Sequence, residues 1–213
     1  MPPDRPGATV LLSILHDAGW PVIPLLFASV LGLALIIERL LALRRARVLP
    51  RGLTEQVLDM LRRRQDTPEA LSRLATNSPL GRVLAEVVRN RHLPRAEQRL
   101  AVEDAGRAEA HKLGRYLSGL GTIAVVAPLL GLFGTVVGMI EIFGAYTPDG
   151  GDPAQLARGI SVALYNTGFG ILIAIPAMIF HRHLRARVED FLRDMETAAA
   201  RLARVLARDE GVS

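Results

Sequence analysis

The stretch "ALYNTGFGILIAIPAMIF", Ala163–Phe180, sets Tyr165, Asn166 and Thr167 inside an apolar run long enough to enter a bilayer. Hydrocarbon offers an amide or a hydroxyl no water, so polar groups at such a position need partners within protein. The run has company. Trp20–Ile37, Leu117–Ile140 and Gly159–Phe180 are all long, apolar and almost uncharged, and each meets the requirement of about 20 residues to cross a core of roughly 30 Å. Three buried helices of a soluble bundle would each need a polar side, and these segments have almost none. The reading is an all-α integral membrane protein with three transmembrane helices in a lipid bilayer.

The chain has 213 residues, 26 of them Lys or Arg, and no cysteine. Without cysteine, disulfides and thiolate metal sites are excluded. The early run "TVLLSIL" has only Arg5 before it, lacks a clear small-residue cleavage site and leads into a longer span ended by "ERLLALRRAR". That pattern predicts a retained first helix with a stop signal. Residues 8–16 are expected to form a short interfacial helix, with Pro21 and Pro24 at the membrane boundary.

Charge fixes the expected orientation. Residues 44–115 hold 16 Lys or Arg and the tail from His181 holds 7, whereas the first 19 residues hold only Arg5. The link "YTPDGGDPAQLAR" holds only Arg158. Because positive charge is retained on the cytoplasmic side, the organisation follows from these counts. It is a periplasmic N-terminus (1–19), first span (20–43), cytoplasmic helical loop (44–115), second span (116–145), periplasmic link (146–157), third span (158–180) and cytoplasmic C-terminal helix (181–213). The loop's 16 cations are interspersed with 9 acids and no aromatic–basic interleaving, so it reads as a solvated helical surface rather than a nucleic-acid site. Leu53, Val57, Leu58 and Leu61 recur at helical spacing, as do Leu184, Val188, Phe191 and Met195. Thr67 before Pro68 reads as an N-cap. "PRAEQRLAVEDAGRAEAHKLGRYL" runs without internal proline towards the second span, so long helical extensions of the membrane helices are expected.

No enzymatic constellation appears. His181 and His183, two apart, point to different faces of a helix, and no metal-type histidine spacing exists. "GLFGTVVG" lacks the lysine of a phosphate loop and lies within a span. Neither a catalytic residue, a cofactor nor a metal is expected.

The second span instead carries Pro128, Gly131, Thr135, Gly138 and Ile142 at offsets of three or four, with Gly134 nearby. The third carries Gly159, Ala163, Asn166/Thr167, Gly170, Ala174 and Ala177, with Pro176 beside them. Small residues at this spacing let a second backbone approach closely. Gly131, Gly134, Gly138, Gly170, Pro128 and Pro176 are therefore assigned to helix packing. A membrane threonine taken singly most often bonds its own helix's carbonyl. Yet Thr135 and Thr167 each lie ten residues or so inward of the outer boundary, about 15 Å, and so share one depth. With Asn166 they form a candidate polar path. Glu141 sits about 9 Å outward of Thr135 by helical rise and is expected to pair with Arg158.

"APLLGLFGTVVGMIEIF" followed by "GISVALYNTGFGILIAIPAMIF" resembles the paired signature of the MotA/TolQ/ExbB proton-channel family, and the ExbB/TolQ branch fits best. "SVLGLALIIERLLALRR" is similar to that branch's first span, and no candidate exists for the fourth span usual in the MotA branch. The resemblance implies a homo-oligomer, a pentameric ring in the bacterial inner membrane. The ring would surround two copies of a single-span ExbD/TolR-type subunit and drive a TonB- or TolA-type periplasmic arm by proton flow. It also implies that Thr135 and Thr167 line the lumen facing the partner's aspartate. The chain departs from the pattern at Val162, where ExbB and TolQ commonly have a glutamate, and at Asn166, commonly a small or hydroxylated residue. A passive scaffold without ion flow is the rival reading.

Overall fold

The computed structural model describes residues 19–144 and 153–210. The interfacial helix expected at 8–16 and most of the 146–157 link lie outside the described residues. The described chain is helical, in the order α1 (Val22–Ala42), α2 (Arg45–Val48), α3 (Leu53–Arg62), α4 (Pro68–Asn77), α5 (Pro79–Arg89), α6 (Arg95–Gly114), α7 (Leu117–Gly144) and α8 (Pro153–Glu210). Contacts divide it into two compact units: residues up to 37 with 116–182, and 38–115 with the chain from 183.

The first unit is built from α1, α7 and the N-terminal half of α8. Each is long and apolar enough to cross a membrane. The rings of Trp20 and Phe133 meet edge to face at 6.1 Å, while Gly32 approaches Ile123 and Gly119 approaches Leu35. Rising numbers on α1 thus meet falling numbers on α7, an antiparallel pair. Gly138 against Ala163 and Gly131 against Gly170 make α7 and α8 antiparallel too. Polarity is reversed relative to a soluble core. Phe27, Val30, Leu129, Phe143, Leu164 and Leu172 are exposed, whereas Asn166 is fully buried. Such a surface suits hydrocarbon and not water.

The second unit packs short helices around the C-terminal half of α8. Leu184, Val188, Phe191, Met195, Ala199 and Leu202 are buried along one face of α8, the stripe that helical spacing predicts. Leu53 and Val57 of α3, Leu71 of α4, and Leu84 and Val87 of α5 are also buried. Local sequence starts these helices. Thr67 Oγ1 accepts from the Ala70 amide at 3.3 Å and Ser78 Oγ from the Gly81 amide at 3.0 Å, each followed by proline at the first helical position. Arg39, itself buried, donates through Nη1 to the Leu113 carbonyl at 3.2 Å, satisfying one of the last carbonyls of α6.

The helical extensions differ from expectation in one place. α8 does run unbroken from Pro153 to Glu210. α6 does not run into the second span: it ends at Gly114, and Tyr116 adopts a left-handed backbone with φ of 67° before α7 begins. A bulky residue in that region costs about 1 kcal/mol or more and needs surrounding structure to hold it.

Candidate functional site

The site grows from glycines. A Cβ on Gly131 would lie 2.7 Å from the Asn166 carbonyl oxygen and 3.0 Å from the Thr167 Cα, and one on Gly170 would lie 2.6 Å from the Ala127 carbonyl oxygen. A Cβ on Gly134 would meet the Asn166 side chain at 2.6 Å, and one on Gly138 would touch Ala163 at 3.4 Å. At positions 131, 134 and 170 only glycine lets α7 and α8 come this close. The four glycines assigned to packing therefore lie in one interface, and Gly131, Gly134, Gly138 and Gly170 are all buried. The two prolines differ from them: Pro128 is half-buried and Pro176 is exposed, so Pro176 does not pack between α7 and α8.

This approach brings the two threonines together. Thr135 Oγ1 and Thr167 Oγ1 are 3.4 Å apart, although 32 residues separate them in sequence. Thr135 Oγ1 donates to the Leu132 carbonyl at 2.6 Å, and Thr167 Oγ1 lies 3.3 Å from the Gly131 carbonyl on the other helix. A hydroxyl has one proton and two lone pairs. With both protons directed at backbone carbonyls, the pair presents mainly acceptor capacity. Rotation about the C–O bond would instead turn a hydroxyl into a donor. A half-buried pair of this kind can meet a protonated carboxyl, a water or, after rotation, a carboxylate.

Asn166 lies beside the pair on the interface. Its Nδ2 donates to the Val162 carbonyl one turn back at 3.0 Å, and its side chain fills the space that the missing Cβ of Gly134 leaves. The amide in the opening motif thus belongs to the helix contact itself. Glu141 and Arg158 are both exposed. Ile142 approaches Gly159, whose added Cβ would meet Ile142 Cγ1 at 2.2 Å.

Two features were not read from sequence. Gly121 receives the His181 ring, with Nε2 3.0 Å from where a Cβ would sit. In the second unit, the Glu109 carboxylate is 1% exposed as a residue and is held by Arg82 and by Lys112, the latter at 2.8 Å. Lys112 lies at i+3, a spacing legible in sequence; Arg82, 27 residues away, is not.

Comparison with known proteins now bears on what this geometry serves. Residues 75–197 match the MotA/TolQ/ExbB proton channel family. The chain belongs to that family. It is 32% identical to the putative biopolymer transport protein ExbB-like 3 of Synechocystis over 173 residues, covering 79% of this chain and 81% of that protein. It is 31% identical to the biopolymer transport protein exbB1 of Vibrio cholerae, over 73% of this chain and 70% of that protein. It is 34% identical to the Tol-Pal system protein TolQ of Pseudomonas aeruginosa, over 58% of this chain and 57% of that protein. Family membership and the three apolar helices make this a multi-pass membrane protein of a proton-channel family. The family match contains the hydroxyl pair, both glycine faces and the buried Glu109.

Proposed function

We propose that the chain is the ring subunit of an inner-membrane proton-driven motor. Several copies, five by family resemblance, surround a dimer of a single-span ExbD/TolR-type subunit, and proton flow drives a TonB- or TolA-type periplasmic arm. The N-terminus and the 146–157 link face the periplasm, and residues 44–115 and the C-terminal tail face the cytoplasm. Relatives named as biopolymer transport and Tol-Pal proteins support this reading, as does the Lys/Arg asymmetry.

The observation that carries the proposal is the Thr135–Thr167 hydroxyl pair at 3.4 Å. A hydroxyl does not bind and release a proton near neutral pH, whereas a carboxylate in a partly dry site can be tuned to do so. The third span has no acid, with Val162 where a glutamate is common, and Glu141 stands near the outer end of the second. The titrating group therefore comes from a partner helix. When that carboxyl is protonated, the threonine oxygens accept its hydrogen bond. When it is ionised, rotated hydroxyls and water donate to it. The threonines thereby hold both states without titrating themselves.

The test is proton flux in proteoliposomes. The ring alone is expected to conduct poorly, and the complex with an ExbD/TolR-type partner to conduct. Thr135→Val and Thr167→Val preserve shape and remove the hydroxyls, so each should abolish flux while the ring still assembles. Full flux through the partner-free ring, or through the complex carrying both valines, would overturn the assignment. A complex that assembles and never conducts would be a passive scaffold.

A further inference from the structure

The first span ends in a cluster of arginines that the proton path does not use. α1 leaves its apolar run at Ile37 and continues through Glu38 and Arg39 to Ala42, so Arg44 follows roughly 10 Å further on at 1.5 Å per residue, where a long side chain can reach the lipid headgroups. There the helix stops. Arg44 has an extended backbone, φ −71° and ψ 129°, and α2 follows as one short turn. Leu43, Val48 and Leu49 are buried, while Arg44, Arg47 and Arg51 are exposed. The apolar residues anchor this turn in the second unit and leave the guanidiniums outside.

Those three arginines have no carboxylate partner among the described residues. The four acids between positions 38 and 66 are all engaged elsewhere: Glu38 by Arg39, Glu55 by Arg201, Asp59 by Arg62 and Asp66 by Arg91. Arg45, on the same turn, is taken by Asp194 at 2.9 Å. Nearby acids thus neutralise the neighbours and leave Arg44, Arg47 and Arg51 as a local positive surface.

We propose that Arg44, Arg47 and Arg51 form a binding surface for the phosphate headgroups of anionic phospholipids. A guanidinium bonds phosphate through two N–H groups, and its long stem can lie along apolar surface while the head reaches the interface. Each arginine near an anionic membrane surface contributes up to about fivefold in partitioning, less where salt screens it. The surface would hold a shell of anionic lipid at the inner end of the first span.

The test uses the full chain reconstituted in bilayers of phosphatidylcholine doped with spin-labelled phosphatidylglycerol or spin-labelled phosphatidylcholine. The fraction of immobilised label gives the relative affinity for each lipid. The protein is expected to prefer phosphatidylglycerol, and the preference to fall as salt approaches about 1 M, where screening acts within about 3 Å. Arg44→Gln/Arg47→Gln/Arg51→Gln should lower that preference about fivefold or more and leave phosphatidylcholine association unchanged. Arg63→Gln/Arg64→Gln/Arg73→Gln, which removes the same charge further along the chain, should leave the preference near its original value. If the first triple variant fails to fold, Arg47→Gln should lose roughly twofold or more while Arg47→Lys largely retains the preference. Equal loss in both triple variants would reduce the effect to net charge and overturn the site. Retained preference in the first triple variant and in Arg47→Gln would overturn it too. Complete displacement of the labelled lipid by millimolar inorganic phosphate at constant ionic strength would mark a small-anion site and refute the lipid surface.

Discussion

Gly131→Ala and Gly170→Ala test whether the backbone approach of α7 and α8 is what builds the site. An alanine Cβ at 131 would stand 2.7 Å from the Asn166 carbonyl oxygen, and one at 170 would stand 2.6 Å from the Ala127 carbonyl oxygen. Comfortable carbon contacts begin near about 3.5 Å, so the helices must part by the better part of an ångström. Both obstacles are backbone atoms and cannot swing aside as a side chain would. Overpacking of this kind costs about 1–3 kcal/mol, and the helix-propensity gain of alanine over glycine returns about 1 kcal/mol. The net loss is therefore about 0–2 kcal/mol for each substitution, or about 1–3 kcal/mol relative to an alanine that meets no obstacle. Gly168 supplies the control: it is on the same helix, and a Cβ there meets nothing within 4 Å. Gly168→Ala should be neutral or stabilising. The double Gly131→Ala/Gly170→Ala variant should lose less than the sum, because helices parted for one methyl already accommodate part of the other. Equilibrium unfolding in mixed micelles, followed by helical circular dichroism, provides the measurement. The same separation lengthens the 3.4 Å Thr135–Thr167 contact, so flux through the complex should fall alongside stability. If Gly131→Ala and Gly170→Ala are as stable as Gly168→Ala, the close backbone contact is not the organising feature.

Glu109→Gln leaves Arg82 and Lys112 facing a neutral amide in a buried position. Because their side chains are 39% and 59% exposed, the cost should fall at or somewhat below the low end for breaking a buried pair, about 2–3 kcal/mol. Glu103→Gln, which breaks an exposed pair with Arg99, should cost far less, and similar losses in denaturant unfolding would argue against a special role for Glu109. The proposed topology predicts that a single cysteine at Gly150 reacts with a membrane-impermeant thiol reagent in spheroplasts and that one at Arg91 does not; the opposite labelling would invert the orientation.

The spans were legible because partition between water and hydrocarbon depends on composition along one dimension. Leu117–Ile140 declares itself by having no charge to solvate. Capping is equally local, and Thr67 with Pro68 was readable for that reason. Small-residue periodicity also identified the faces of α7 and α8, and equal helical rise from the outer boundary placed Thr135 and Thr167 at one height. Features that depend on a third dimension were not legible. Nothing in the segment around Tyr116 requests a left-handed residue at a tyrosine, and Gly114 two positions earlier is the residue that would have suggested one. Arg82 reaches Glu109 only because α5 packs against α6.

The expected Glu141–Arg158 pair lies at the edge of the contact between α7 and α8. Each residue stands one position before a residue of the helix contact, Glu141 before Ile142 and Arg158 before Gly159. One position is about 100° around a helix, enough to turn both side chains out of the interface that Ile142 and Gly159 occupy. Both are exposed. Fixing two long side chains in one exposed geometry costs rotamer entropy that a surface ion pair, at about 0–1 kcal/mol, hardly repays. The threonines sit differently. Thr135 follows the buried Gly134 and Thr167 follows the buried Asn166, so the two are displaced from the contact in the same sense. In antiparallel helices, equal displacement in the same sense brings side chains to the same flank, and these two are short and β-branched, with few rotamers to lose. Depth and flank together give the hydroxyl pair, and its short side chains have little rotamer freedom to lose.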